Sequence, residues 1–167
     1  MSLSLHERAD SYTSEVCIRF RIHPWTNSPR CSASEYRSSS TIPQDWIKIA
    51  ENDLKFATDS LSLHAEFLPQ ICFYFQQAAE KYLKAYIIAK KLPFAKIHSL
   101  PALLKTCQKS DESFSKLTSE CKFLTEFYLE ERYPSLAIPS EITQEIAQKA
   151  ETAARKVREF VKKKIKP

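Results

Sequence analysis

The chain has no glycine in 167 residues. Glycine reaches positive backbone angles without strain, and tight hairpins, bulges and phosphate-cradling loops depend on it. Its absence argues against a sheet-rich fold. It also excludes the glycine-rich dinucleotide and P-loop motifs outright. With 43% hydrophobic and 27% charged residues, the composition is that of a soluble all-α protein. The length suits one domain with a sizeable core better than two.

Residues 1–43 are set apart from the rest. Ten of the first 40 are serine, and prolines stand at positions 24 and 29. Val16, Ile18, Phe20 and Ile22 alternate with polar neighbours, but a lone strand without a partner is marginal. This segment is expected to be irregular or disordered. Cys17, His23 and Cys31 are too irregularly spaced to be read as zinc ligands, so no metal or other cofactor is expected. Met1 is the only methionine, so a start later in this segment would need a different codon, which an intact mass of the native protein tests.

After Pro43 the apolar residues fall at helical intervals. Trp46, Ile49, Ala50, Leu54, Ala57 and Leu61 predict a first helix over about 44–62, with those residues on one face. A second helix over about 67–91 is apolar all round at its start. It then becomes patterned through Phe75, Ala78, Ala79, Tyr82, Leu83 and Tyr86, which predicts a central, enclosed helix. Gln76, Gln77, Glu80, Lys81 and Lys84 on the same helix predict one flank that meets water, a partner or a ligand. Leu92-Pro93 ends it. Ser99 is the expected N-cap of a third helix with Pro101 in its first turn. Phe114, Leu117, Cys121, Leu124 and Tyr128 form the stripe of a fourth. Ser140 is the expected cap of a fifth, with Ile142, Ile146, Ala150, Ala153, Val157 and Phe160 inward. The fold class is an up-and-down bundle of four long helices and a short one, occupying residues 44–167.

The net charge of +5 is concentrated at the C-terminus, where Arg155, Lys156, Arg158, Lys162, Lys163, Lys164 and Lys166 face one nearby acid, Glu159. That run reads either as a solvated helix end opposing the macrodipole or as a contact for nucleic acid or a partner. Five cysteines without a CxxC pair argue against a disulfide framework. A reducing cytoplasm fits them, and no apolar run approaches the length of a membrane span.

Four segments, in order, resemble one family. Trp46…Ala50…Asp53-Leu54 is similar to its opening helix. Gln76-Gln77-Ala78-Ala79-Glu80-Lys81-Tyr82-Leu83-Lys84-Ala85 resembles its most distinctive run. His98-Ser99-Leu100 with Leu103-Leu104 resembles its H-D/S-L-x-x-L-L element, and Tyr128…Arg132-Tyr133-Pro134 its Y-x-x-x-R-Y-P segment. The family is the HEPN domain. The resemblance implies a helical bundle that assembles as a homodimer. It also implies a minimal nucleotidyltransferase as partner, in toxin–antitoxin or defence pairs, and a nucleotide or RNA as ligand. Many members are metal-independent RNases in which an R-x4-6-H motif from each subunit meets at the interface.

The chain departs from that catalytic pattern. Counting from Arg132, the positions that require histidine hold Ala137, Ile138 and Pro139, and no other arginine satisfies the spacing. The natural proton-transfer group near neutral pH is therefore missing from that motif. The expected role is a non-catalytic nucleotide- or partner-binding component. Its candidate binding residues are Lys81, Lys84, His98, Tyr128, Arg132 and Tyr133. His98 and Arg132 form a non-standard RNase pair in an alternative reading, and a purely structural helical module is a third. Each candidate also has a structural reading: solvated lysines, a His98 that helps cap the third helix, an Arg132 that pairs with Glu80, and packed tyrosines.

Overall fold

The computed structural model describes residues 41–132 and 142–165, with backbone only for residue 65 and residues 129–132. Five helices follow one another: α1 (Pro43–Leu63), α2 (Leu68–Ala89), α3 (Leu100–Gln108), α4 (Thr118–Arg132) and α5 (Gln144–Ile165). Short 3-10 turns at Ala65–Phe67 and Glu112–Leu117 precede α2 and α4. No strand occurs among the described residues. The bundle of four long helices and a short one is thus the observed architecture. The irregular segment assigned to residues 1–43 lies outside the described residues up to position 40, and Pro43 already opens α1. Cys17, His23 and Cys31 also lie outside them.

The sequence of α2 explains why it sits in the middle. It carries buried residues on every side, from Leu68, Ile71, Cys72 and Phe75 through Tyr82, Leu83, Tyr86 and Ile87, and it packs against all four other helices. Its end shows how the fold turns without glycine. Leu92 N–H bonds to Ile87 O at 2.9 Å and Lys91 N–H to Ile88 O at 3.0 Å, the paired bonds of a Schellman cap. The residue in the left-handed position is Lys91, at φ 53°, where glycine is usual.

Several boundaries differ from expectation for local reasons. Phe114 and Leu117 are buried as predicted, but they belong to the 3-10 turn, not to α4. Asp111 opens that turn by accepting the Ser113 N–H at 3.0 Å. Ser99 occupies the N-cap of α3 without a side-chain bond. α5 begins at Gln144, and Thr143 Oγ1 accepts the Ile146 N–H at 3.3 Å. Ser140, the expected cap, lies outside the described residues. On α1, Ala50, Leu54, Ala57 and Leu61 are buried, but Ile49 is exposed. It sits one residue, about 100°, off the inward row.

The basic run on α5 is neither a bare solvated end nor a continuous positive patch. Arg158 Nε and Lys162 Nζ reach Glu51 of α1 at 2.9 and 2.8 Å. Lys164 pairs with Asp111 at 2.6 Å, Arg155 with Glu151 at 2.7 Å, and Lys156 with Glu120. Glu51, Glu120 and Asp111 come from elsewhere in the chain, which is why the local sequence hid them, and only Glu151 is a neighbour on α5. Among the described helices none is long and apolar enough to cross a membrane.

Candidate functional site

Gln76, Glu80 and Lys84 stand four residues apart, so they share one face of α2. The sequence predicted that this flank meets water, a partner or a ligand. In the structure it is closed: Gln76 is 0% exposed, Glu80 3% and Lys84 5%. Burying such groups is costly unless each finds a partner, and each does. Lys84 Nζ donates to Glu80 Oε1 at 2.7 Å. The Gln76 amide donates to Glu80 Oε2 at 3.4 Å and to the His98 carbonyl at 3.2 Å. Gln77 Nε2 donates to Gln76 Oε1 at 2.7 Å, and Lys81 Nζ reaches both Gln77 Oε1 at 3.2 Å and Asp53 Oδ2 at 2.5 Å.

Two carboxylates and two ammonium groups thus alternate along one network and cancel in charge. Trp46 and Phe94 wall it, with the Lys84 ammonium 5.5 and 5.8 Å from their ring centroids. Burial pushes the Asp53 carboxyl up, Lys81 pulls it back, and the net effect leaves it above its ordinary value. Lys81 and Lys84, expected as solvated or phosphate-facing, spend their charge on Asp53 and Glu80.

The network reaches the surface at His98. Its ring Nδ1 lies 3.2 Å from both Glu80 oxygens. An ionised carboxylate only accepts hydrogen bonds, so the proton sits on Nδ1 and the Nε2 lone pair points away from Glu80. The imidazole stacks on Tyr128 of α4 with centroids 5.1 Å apart and planes 12° from parallel. Tyr128 in turn lies 6.3 Å from the Phe73 ring of α2. The His98 side chain remains 47% exposed. It is therefore not a capping residue for α3; it is a surface imidazole oriented by a buried carboxylate and an aromatic face.

Among the sequence candidates, the structure brings His98 and Tyr128 together. Arg132 follows Tyr128 by one helical turn in α4, so the backbone places it on the same side of that helix. Its side chain and Tyr133 lie outside the described residues. Glu80 and Gln76, which orient His98, were visible only as polar residues within a family motif. Their four-residue spacing to Lys84 was the signal that could have marked an internal network.

Other surfaces offer less chemistry. An open groove between α4 and α5 is lined by Ser119, Glu120, Phe123, Lys149 and Lys156. Glu120 already holds Lys156, and Lys149 sits over the Phe123 ring at 4.8 Å. Among the described residues no group of three or more His, Cys, Asp or Glu side chains is arranged to hold a metal ion. Cys72, Cys107 and Cys121 are buried, and burial pushes the Cys107 and Cys121 thiols up to about 12.

The HEPN domain model matches residues 43–164, which covers all five described helices but for the last residue of α5. The chain belongs to the HEPN domain family. Solved structures agree with that placement. TT1696 from Thermus thermophilus is 30% identical with a TM-score of 0.65, over 73% of this chain and 97% of that one. ST0689, an archaeal HEPN homologue, is 26% identical with a TM-score of 0.61, over 75% of this chain and 98% of that one. A comparison with curated proteins gives no match. Within this HEPN fold, His98 stands two residues before α3 and Arg132 is the last residue of α4.

Proposed function

We propose that this HEPN protein is a binding component that takes a nucleotide or a segment of RNA at the His98 face and works beside a minimal nucleotidyltransferase in a toxin–antitoxin-like or defence module. The observation that carries this reading is the oriented, half-exposed His98 imidazole in a chain that lacks the R-x4-6-H spacing. An outward Nε2 accepts a hydrogen bond from a ribose hydroxyl, and the protonated ring attracts a phosphate. Arg132, one turn from Tyr128, supplies a bidentate phosphate donor at the same helix end. Calorimetric titration with nucleoside mono-, di- and triphosphates and a short single-stranded RNA tests the reading. Binding to one of them that weakens at least tenfold in His98→Ala and in Arg132→Ala supports it. Absence of binding to all four, or binding unchanged in both variants, contradicts it. The partner is tested by co-purification with a co-expressed minimal nucleotidyltransferase, and failure to associate removes that part.

The Glu80–His98 pair favours one second reading. A carboxylate that holds Nδ1 leaves Nε2 suited to take a proton from a 2′-hydroxyl, the step that a metal-independent RNase needs. Arg132 then stabilises the phosphate. On this reading purified protein cleaves RNA in the presence of chelator and loses that activity in both His98→Ala and Arg132→Ala. Intact RNA after prolonged incubation rules it out.

A further inference from the structure

A cavity of 240 Å³ opens between α1 and α5, lined by Glu51, Lys55, Thr58, Asp59, Arg155 and Arg158. None of these residues belongs to the His98 network. Arg155 and Arg158 stand three residues apart on α5, so they share a face, and a carboxylate aims each of them. Arg155 donates from Nε and one Nη to Glu151 Oε1 at 2.8 and 2.7 Å. Arg158 donates from Nε alone, 2.9 Å from both Glu51 oxygens. A guanidinium has five N–H donors, and the Nη groups of Arg158 meet no carboxylate among the described residues. Glu51 also holds Lys162 at 2.8 Å, so two cations share one carboxylate. The pairs Lys55–Asp59 and Arg155–Glu151 are one to one, and the cluster keeps one positive charge in excess.

A second observation lies deeper. The Tyr82 hydroxyl of α2 is fully buried and has no hydrogen-bond partner among the described residues. Burial, then the Glu51 carboxylate, push its ionisation up, so it keeps its proton and lacks an acceptor. Native folds rarely leave such a donor unpaired.

We propose that this cavity is a site for a small oxyanion of the phosphate class, gripped by the Nη groups of Arg158 and Arg155. Guanidinium forks match oxyanions in geometry as well as charge. Donors converging from two forks and from Lys55 suit a tetrahedral group with three free oxygens better than a planar carboxylate. An anion that draws the Arg158 fork outward frees a Glu51 lone pair for the Tyr82 proton. Occupation thus relieves the stranded hydroxyl. The cavity is below the drug-sized range of about 300–1,000 Å³, so the ligand is small. The adjoining cavity along the groove shares Thr58 and Asp59, but its charged lining is acidic, Asp59 and Glu151. That confines the anion to the arginine end.

The full chain, labelled with nitrogen-15 at arginine, is titrated with inorganic phosphate at fixed ionic strength while the side-chain Nε–H resonances are followed. A saturable shift at Arg155 and Arg158 is expected, with affinity at least tenfold weaker in Arg158→Gln and in Arg155→Gln. Arg158→Lys does not restore it, since lysine keeps the charge without the fork. Lys162 still holds Glu51 in these variants, and unchanged helical circular dichroism confirms that they fold. His98→Ala and Lys116→Gln, an exposed lysine elsewhere, bind as the wild type does. Phenyl phosphate distinguishes the source: tighter binding than inorganic phosphate points to a phosphomonoester, equal or weaker binding to the free ion, and the phosphate class stands either way. A shift that grows without saturating, an equal response to acetate, or unchanged affinity in Arg158→Gln overturns the proposal.

Discussion

At the residue scale, the consequences of having no glycine converge on Lys91. A non-glycine residue in the left-handed region costs roughly 1–2 kcal/mol, partly offset because glycine loses more entropy on folding. Lys91→Gly is therefore expected to stabilise the protein by about 0.5–1 kcal/mol, read as a higher urea midpoint at unchanged slope. A lower midpoint would show that the lysine side chain contributes more than its backbone costs. The buried pair gives the opposite sign. Glu80→Ala strands the Lys84 ammonium in the core and is expected to cost about 3–5 kcal/mol, the range for breaking a buried ion pair. Adding Lys84→Met to that variant recovers part of the loss in the same denaturation experiment. The apolar members of α2 were legible one by one, because burial follows from their chemistry. The fate of Glu80 and Lys84 was not, because charged residues on a helix ordinarily mark water. Only the approach of Trp46, Phe94 and His98, distant in sequence, turns that flank inward.

At the scale of elements, helix order and length could be read from periodicity, and the errors cluster at ends and at charges. Phe114 and Leu117 kept their burial while their segment became a 3-10 turn, since a three-residue step fits both kinds of helix. The α5 run read as an isolated positive stretch because its partners Glu51, Glu120 and Asp111 sit on other elements. Those ties set a pH dependence. The Lys164 hydrogen bond, aided by Ser113, brings Asp111 down to about 2. Burial alone raises Glu51, but Lys162 and Arg158 more than reverse it and leave it below its ordinary value. Both groups bind fewer protons folded than unfolded, so their contribution is present above the unfolded carboxylate range near 4 and is lost as pH falls toward 2. Asp53, raised by burial, runs the other way and offsets part of the loss. Urea midpoints are expected to fall between pH 4 and pH 2.5, and Asp111→Asn flattens the lowest part of that curve. A curve unchanged in Asp111→Asn would show that the Lys164 tie does not hold α5 in solution.

For the molecule as a whole, a glycine-free chain has assembled a HEPN bundle in which the family's most recognisable run is an internal framework that reaches the surface at His98. The motif in the sequence pointed to the helix that forms this framework. The proposed binding group lies one step away, at a loop residue oriented by a buried carboxylate 18 positions earlier. If that orientation exists to present Nε2 to a ligand, the His98 ring must report ligand arrival directly. The most direct measurement follows the His98 ring nitrogen and proton resonances, in protein labelled with nitrogen-15 at histidine, during titration with the tightest-binding nucleotide or RNA. The account predicts a saturable shift of the His98 Nε2 signal, with Nδ1 still protonated toward Glu80, that disappears in Arg132→Ala. A His98 signal that stays fixed while the ligand binds would contradict it.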